Sequence, residues 1–410
     1  MAHPSVAPPI ADPLDDYDWL VGPEAVKLLK MAAGWLQPTP AQVSAVRSQC
    51  PGQRAHLVLE QVALRHKAQA KFTAAGQMFF TPVLLEQASD EVVAAYKAQR
   101  FGRIEAVRVF DLCCGIGGDL LSLAARGDVV GIDRDPLAVF LAQANASAAA
   151  NFPGGLKHKF ELRVGDAREA DVGDCGAWHI DPDRRPKGFR TTHVDLHEPP
   201  SDAIDRLLDR NPNASVKLAP AARMSGAWLD RSELEWISRD GQCRQLVAWF
   251  GRLAGEPGRR RATILGTTST PPRTVVGDEQ PDPPLANRIG RYVFEPDAAV
   301  LAARLSGTLA AEHCLGALAP HVAYWTGDSK IADPALACFE VLEVLPLDIK
   351  QLKSLLGVRG IGRLEIKKRG VEHDPAALRR LLGLQGEHEA TLLVTRIARR
   401  ATAILARRVT

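Results

Sequence analysis

The chain has 410 residues, 46% hydrophobic and 24% charged, with a net charge of +3, enough for two or three domains with hydrophobic cores of their own. Charges interrupt every apolar stretch before the roughly 18–20 residues of a membrane span, and the opening Met1-Ala-His-Pro-Ser-Val-Ala-Pro-Pro lacks the basic and apolar regions of a secretory signal, so a cytoplasmic protein without membrane contact is expected. The seven cysteines, Cys50, Cys113, Cys114, Cys175, Cys243, Cys314 and Cys338, are odd in number and form no CxxC pair, which argues against a disulfide framework or a zinc knuckle.

After a Pro-rich lead, Pro23-Glu-Ala-Val-Lys-Leu-Leu-Lys-Met and Gln61-Val-Ala-Leu-Arg-His-Lys-Ala-Gln-Ala-Lys-Phe carry apolar residues at helical spacing. Residues 1–75 therefore read as a helical N-terminal region, with nothing in it at catalytic spacing. From Val107 the pattern changes to short β-rich runs alternating with helical ones, the mark of a parallel sheet wrapped by helices. Candidate strands are Val107–Leu112, Asp128–Asp133, Phe160–Gly165, Ala177–Asp181, Ser215–Leu218 and Arg261–Leu265, with a helix over Asp135–Ala150. This rhythm predicts a doubly wound α/β domain over residues 76–275. A Pro- and Gly-rich passage, including Thr270-Pro-Pro-Arg and Gln280-Pro-Asp-Pro-Pro, marks a boundary near residue 275.

Beyond it, Glu295-Pro-Asp-Ala-Ala-Val-Leu opens a predicted helix with Pro and acidic residues in its first turn. Strands are expected around Phe339–Leu345, Arg363–Lys367 and Ala390–Arg396, and helices around Ile349–Leu356 and Pro375–Leu382. Residues 290–410 thus read as a small α+β domain. Residues 341–410 hold fourteen Lys and Arg against seven Asp and Glu, which leaves the rest of the chain net acidic. Such asymmetry points to a polyanion partner or, more simply, to a solvated helix face.

A nucleotide-like ligand of an open parallel sheet sits at the carboxyl ends of the strands, beside the first strand-to-helix turn. Here that turn is Asp111-Leu-Cys-Cys-Gly-Ile-Gly-Gly-Asp119. Gly115 and Gly117 permit a tight turn and let bare backbone approach the ligand, and a helix starting near Gly117 aims free N–H groups at it. Asp133 ends the next strand, where a carboxylate can accept both hydroxyls of a ribose. A dinucleotide fingerprint would place Gly or Ala at position 120, where the chain has Leu120. Asp111, before the glycines, suits a cofactor carrying a sulfonium and an ammonium better than a pyrophosphate. Cys113 and Cys114 stand where strand ends often use Cys as a small apolar residue.

The reaction end follows the fourth strand, in His179-Ile-Asp-Pro-Asp-Arg-Arg-Pro-Lys-Gly-Phe189. A carboxylate at Asp181 can accept a hydrogen bond from an exocyclic amine and orient it, and Pro182 fixes the neighbouring carbonyl. Lys217, at the end of the fifth strand, is a further candidate for the same edge. His158, His179, His193 and His197 show no ligand spacing, so no metal is expected.

The ordered set of strand, Asp111, Gly115, Gly117, Asp133 and Gly165-Asp166-Ala167 resembles the class I S-adenosylmethionine-dependent methyltransferases, with their doubly wound Rossmann-like sheet, over residues 76–270. The resemblance implies S-adenosyl-L-methionine as cofactor. It places Asp111, Gly115 and Gly117, with Cys113 in the same turn, around the methionine part, Asp133 on the ribose and Asp166 on the adenine amine. Gln77-Met-Phe-Phe-Thr-Pro-Val-Leu-Leu-Glu-Gln-Ala88 looks like the segment that packs over the cofactor in nucleic-acid methyltransferases of this class, with Thr81 near the methionine carboxylate. Thr81-Pro82 also reads as a helix N-cap followed by Pro at the first turn. Amine-methylating relatives carry Asn or Asp, Pro, Pro and an aromatic residue that stacks on the base. This chain has Asp-Pro-Asp-Arg-Arg instead, so Arg184 and Arg185 are candidates to cover the base or grip a phosphate, with Phe189 supplying a ring.

Residues 290–410 resemble the THUMP-like domain attached to bacterial methyltransferases, and THUMP domains are associated with RNA binding. The basic run Lys367, Lys368 and Arg369, beside Gly360 and Gly362, is the expected docking element for an RNA, a tRNA or rRNA. Three readings remain at this point. The first is an RNA methyltransferase acting on an exocyclic amine of guanine or adenine, with Asp181, Pro182 and Arg184 as its catalytic residues. The second is a methyltransferase of a small molecule or protein, and the third a non-catalytic cofactor- and RNA-binding protein.

Overall fold

A computed structural model of the chain describes residues 13–104, 108–150, 156, 158–186, 188–266 and 271–409. The Pro-rich lead through residue 12, Val107, Lys187 and Thr270 lie outside the described residues. The chain forms two compact units, Met1–Leu218 with Trp249–Gly255, and Ala219–Ala248 with Glu256–Thr410. The change in sequence character near residue 275 therefore falls within the second unit.

The first unit opens with helices α1 (Pro13–Val21), α2 (Pro23–Ala32), α3 (Pro40–Arg47) and α4 (Gly52–Ala68). Thr39 and Gln42 start α3 with a reciprocal capping box. The α4 pattern predicts helix to Phe72, but the helix ends at Ala68, where the N–H groups of Lys71 and Phe72 both bond the Ala68 carbonyl. Two short helices follow, α5 (Pro82–Gln87), capped by the Thr81 side chain, and α6 (Glu91–Phe101), capped by Asp90. Buried Leu28, Leu29, Val58 and Val62 of the first helices share one core with Met78, Phe79, Phe80, Leu85 and with Ile116 and Leu141 further on. The helical N-terminal region is thus the base on which residues 78–88 rest. Two side chains fix that seat. Gln61 donates to Met78 O at 3.4 Å and accepts from Phe80 N–H at 3.2 Å. Buried Asn145 accepts from Phe79 N–H at 2.7 Å and donates to Phe79 O and Ile116 O.

Five parallel strands follow: β1 (Arg108–Leu112), β2 (Asp128–Asp133), β3 (Phe160–Val164), β4 (Ala177–Ile180) and β5 (Ala214–Leu218). Their spatial order is β3-β2-β1-β4-β5. Helices α7 (Leu120–Ala124), α8 (Pro136–Ala150) and α9 (Ser201–Arg210) connect them. β4 and β5 are buried along their whole length, as central strands covered on both faces are, and they carry His179, Ser215 and Lys217 into the interior. The order reverses between β1 and β4, which pair Asp111 with His179 and Leu112 with Ile180. A reversal of this kind leaves a crevice at the carboxyl ends of the two strands. β3 and β4 each stop one residue short of expectation, so Gly165 and Asp181 stand just beyond the ladder, at that crevice.

The second unit contains α10 (Gly226–Arg231), β6 (Glu233–Arg239), most of β7 (Gln242–Trp249), β8 (Arg260–Leu265) and β9 (Arg273–Gly277). β6 and β7 flank Asp240-Gly241, both at positive φ, a two-residue turn whose chemistry matches a β-hairpin. β8, the sixth strand of the expected doubly wound domain, runs parallel to β6 in this unit. Then come β10 (Tyr292–Pro296), α11 (Ala298–Ala302), α12 (Ser306–Glu312), β11 (Gly316–Ala317), β12 (Trp325–Gly327), β13 (Leu336–Pro346), α13 (Ile349–Val358), β14 (Ile361–Lys368), α14 (Pro375–Leu382), β15 (His388–Ile397) and β16 (Arg400–Val409). Seven of these strands form a sheet in the order β11-β12-β10-β13-β16-β15-β14. Leu352, Leu356, Leu378 and Leu382 of α13 and α14 pack against Leu364, Leu392 and Leu405 of that sheet. The helix predicted to open at Glu295 begins only at Ala298, capped by Asp297, because Glu295 and Pro296 complete β10. No helix among the described residues is long and apolar enough to cross a membrane.

Candidate active site

The crevice at the sheet reversal opens into a cavity of about 400 Å³, lined by residues 81–89, by the glycine turn and by the ends of β2, β3 and β4. That volume falls in the range of roughly 300–1,000 Å³ typical of small-molecule sites. Among the expected residues, Thr81, Asp111, Cys113, Gly115, Asp133, Asp166, Asp181, Pro182, Arg184 and Arg185 line it. Gly117, Phe189 and Lys217 are not among the lining residues.

Beneath the glycine turn lies a buried set of charges. Asp119 accepts from Ser89 Oγ at 2.7 Å and pairs with Lys97 Nζ at 2.6 Å; His179 Nε2 lies 3.4 Å from its other side. His179 Nδ1 is 2.7 Å from Ser215 Oγ. Burial works against the Asp119 charge, yet Lys97 and His179 draw its carboxyl well below the usual carboxylate range. Burial, with Lys97 beside it, lowers His179, which is therefore a neutral imidazole bridging β4 and β5 at physiological pH. Asp111 is different. It is 1% exposed, its Oδ2 has no hydrogen-bond partner, and burial with Asp119 nearby pushes its carboxyl well above the usual range. An orphaned buried carboxylate on a cavity wall has the character of a socket for a cation.

Across the turn, Asp133 accepts from the N–H groups of Gly115 at 2.8 Å and Asp135 at 3.0 Å, one on each oxygen. This fixes a half-buried carboxylate on the wall with lone pairs left for a diol. Gly115 (φ +53°) would have open space around a Cβ, space that faces the cavity. Gly117 (φ +88°) gives the left-handed step that turns the chain toward α7, and a Cβ there would meet Ala142 and Leu120. The residue that sets this chain apart from a dinucleotide loop is accommodated on the strand side: a Cβ on Gly131 would lie 2.3 Å from Leu120 Cδ1, so Gly131 makes room for Leu120. Thr81 Oγ1 accepts from Leu84 N–H at 3.2 Å, so its hydroxyl caps α5 while lining the cavity. Asp166 is held by Arg168 through both carboxylate oxygens, and that pairing lowers its pKa.

At the far end, Asp181 Oδ2 accepts from Lys217 Nζ, while Oδ1 has no partner among the described residues. Burial opposes the Lys217 charge, but Asp181 and Asp119 hold its ammonium above the ordinary lysine range. Lys217 also donates to Gln87 O at 3.4 Å, so it supports the Asp181 carboxylate from behind the cavity wall. Arg184 makes no ion pair among the described residues, whereas Arg185 is bound to Glu86. Phe189 is 84% exposed and stands outside the cavity.

The basic run of the second unit is arranged otherwise. Glu295, the residue expected at a helix start, receives Lys367 Nζ at 2.5 Å and Arg369 Nη2 at 3.1 Å, which leaves Lys368 as the one member of the run with no ion pair among the described residues. Also in this unit, Glu312, His313 and Asp333 bring ligand-type atoms within 4.8 Å of one another, and Arg273 bridges the two carboxylates.

Sequence reasoning missed Ser89, Lys97, Asp119, His179 and Ser215, which lie far apart in the chain. Asp119 alone carried a signal, as the acidic residue closing the Gly117-Gly118 turn. Lys71 was also missed: its ammonium donates to the Leu85, Glu86 and Ala88 carbonyls at 2.7–2.9 Å, capping the end of α5, and burial brings its pKa down to about 8.

The fold and this site define a doubly wound domain with an acidic cavity at the carboxyl ends of its strands. Residues 336–408 match the family of THUMP domain-like proteins. Over 360 residues the chain is 35% identical to S-adenosylmethionine-dependent methyltransferases of Mycobacterium tuberculosis, strains CDC 1551 and H37Rv, covering 84% of this chain and 94% of each relative. A methyltransferase crystal structure from Porphyromonas gingivalis W83 shares the fold with a TM-score of 0.75 at 21% identity, over 94% of this chain and 98% of that one. The chain belongs to the S-adenosylmethionine-dependent methyltransferases and carries a THUMP-like domain in its C-terminal part. The cavity fits that cofactor: orphaned Asp111 meets the need of a cationic group for a buried anion, and Asp133 offers a fixed carboxylate to a ribose.

Proposed function

We propose that the protein methylates an exocyclic amine of guanine or adenine in structured RNA. The observation that carries this reading is the half-engaged carboxylate of Asp181: Lys217 holds Oδ2, and Oδ1 remains without a partner at the cavity wall. Asp111, Cys113, Gly115 and Asp133 hold the cofactor in this reading, with Thr81 and Asp166 at its two ends. S-adenosylmethionine supplies an electrophilic methyl group when bound. Asp181 Oδ1 accepts an N–H of the incoming amine and turns its lone pair toward the cofactor, and Pro182 restricts the backbone beside it. Catalysis then consists of positioning and exclusion of water, worth several powers of ten when reacting groups are held in line. Arg184, unpaired at the cavity wall, takes the place of the stacking aromatic, since a guanidinium plane covers a base face.

The test is incubation with labelled S-adenosylmethionine and total cellular RNA. Label enters RNA with the wild type and not with Asp181→Ala, while Asp181→Ala retains cofactor binding by calorimetry. Nucleoside analysis of the labelled RNA names the base. Label that persists in the variant removes Asp181 from its role.

The pairing of Lys367 and Arg369 with Glu295 favours a second reading, methylation of a small molecule or protein, because it reduces the charge available to RNA in the second unit. RNA binding that weakens steeply with salt decides for the first reading, and its absence decides for the second.

A further inference from the structure

The segment on one wall of the cavity is fastened to the loop on the opposite wall. Glu86, near the end of α5, receives Arg185 Nη2 and Arg190 Nη2 on the same oxygen, each at 2.7 Å. Beside it, Gln87 Nε2 reaches Asp183 Oδ1 at 3.5 Å. Backbone hydrogen bonds tie the described residues of the loop that carries both arginines: Asp183 and Glu198 exchange them at 2.8 and 3.0 Å, Thr191 N–H closes on Arg184 O at 3.0 Å, and Gly188 N–H turns back on Arg185 O at 2.8 Å. Phe189 lies between the arginines in this loop, exposed.

Two guanidinium groups converging on one carboxylate oxygen form an anion site with an internal anion already in it. On the RNA reading above, we propose that Arg185 and Arg190 bind a backbone phosphate of the acceptor strand, that Glu86 holds this place in the free protein, and that Phe189 stacks on an adjacent base. The planar fork of arginine matches a phosphate as well as a carboxylate, and a phosphodiester offers two oxygens where Glu86 uses one. The exchange is easy because the side chains of Arg190 and Glu86 are 67% and 48% exposed, and pairs so placed hold weakly. An exposed ring beside such a clamp is what a single-stranded segment needs, since every base presents a face for stacking. Displacing Glu86 also unties α5 from the loop, so docking of a strand and opening of the cavity beside Asp181 become one event.

The test uses the full chain and a fluorescent single-stranded RNA dodecamer of mixed sequence, titrated by anisotropy between about 50 and 200 mM salt. Glu86→Gln binds the RNA roughly three- to tenfold more tightly than the wild type, since a competing anion is gone and tenfold corresponds to about 1.4 kcal/mol. Arg185→Ala/Arg190→Ala binds more weakly, and its slope of log affinity against log salt is smaller by about 0.7, the value for one phosphate contact on a single strand. Phe189→Ala loses roughly tenfold in affinity at every salt concentration, without a change in slope. All these side chains are at the surface, and matching thermal melts establish that the variants are folded. RNA binding by the double arginine variant with the wild-type slope, or equal affinity of Glu86→Gln and wild type, overturns the clamp and leaves the RNA reading standing. No salt-dependent binding by either wild type or Glu86→Gln overturns both.

Discussion

The cofactor cavity and strand β14 of the second unit both attract attention in the sequence through their charges, and the structure treats those charges in opposite ways. Around the cavity, several valences are left open among the described residues: Asp111 Oδ2 has no partner, Asp181 has one oxygen engaged and one open, and Arg184 makes no ion pair. At the end of β14, Lys367 and the following Arg369 close on Glu295, a residue more than seventy positions earlier in the chain. A charge aimed at a ligand must be held by neighbours and either lack a partner, as Asp111 does, or share an exposed one that a ligand can displace, as Arg185 and Arg190 share Glu86. A charge whose partner is already in the fold serves the fold first. Counting basic residues does not distinguish the two.

The largest expected effect probes what holds the cavity's open charges in place. Asp119→Ala leaves the Lys97 ammonium buried without its counter-ion, and removing one partner of such a pair costs about 3–5 kcal/mol. Urea denaturation measures the loss, and a change below about 1 kcal/mol would show that Lys97 is not confined as the 2.6 Å pairing implies.

A smaller effect concerns Asp133, the carboxylate proposed to hold the ribose. Asp133→Ala weakens S-adenosylhomocysteine binding by about 1.5–3 kcal/mol in calorimetry, the loss of charged hydrogen bonds to two hydroxyls. Unaltered affinity refutes the assignment.

The third prediction follows from the raised pKa of Asp111. In the free protein part of this carboxyl is protonated at low pH, whereas a bound cation favours the carboxylate. Affinity for S-adenosylmethionine therefore rises with pH, by at most tenfold per pH unit or about 1.4 kcal/mol, and levels off above the pKa of the free protein. Asp111→Asn flattens the dependence. A pH profile that is the same in both proteins separates Asp111 from the cationic groups.

The smallest effect belongs to β14. Lys367→Ala costs up to about 1 kcal/mol in stability, because Arg369 still neutralises Glu295. It leaves the salt slope of RNA binding unchanged. A slope lower by about 0.7 would instead make Lys367 a phosphate contact and erase the contrast with the cavity.

Much of the fold was legible because it rests on local signals. The parallel strands follow from short β-rich runs alternating with helical ones, α14 begins and ends where Pro375 and Leu382 predict, and α5 begins where Thr81-Pro82 places a cap. The β6–β7 hairpin was missed although Asp240-Gly241 announces it, because β6, Glu233-Leu-Glu-Trp-Ile-Ser-Arg239, carries polar and charged residues that are nevertheless buried, a placement no local pattern signals. Glu295 was misread for a related reason: Pro following an acidic residue suits a helix start, and here it ends β10.

For the site, the sequence by itself determined that Asp111, Gly115, Asp133 and Asp181, all within a few residues of a β-strand terminus, line the cavity. Spacing is enough there, because the backbone conformation near a strand end dictates which side chains reach the crevice. Only the tertiary structure decided which charges remain open. Lys97 of α6, Asp119 of the glycine turn, His179 of β4, and Ser215 and Lys217 of β5 meet only when those elements pack, and Glu86 finds Arg185 and Arg190 about a hundred residues away. The pairing of charges depends on distances across the fold and on the water excluded between them, quantities that no local pattern encodes.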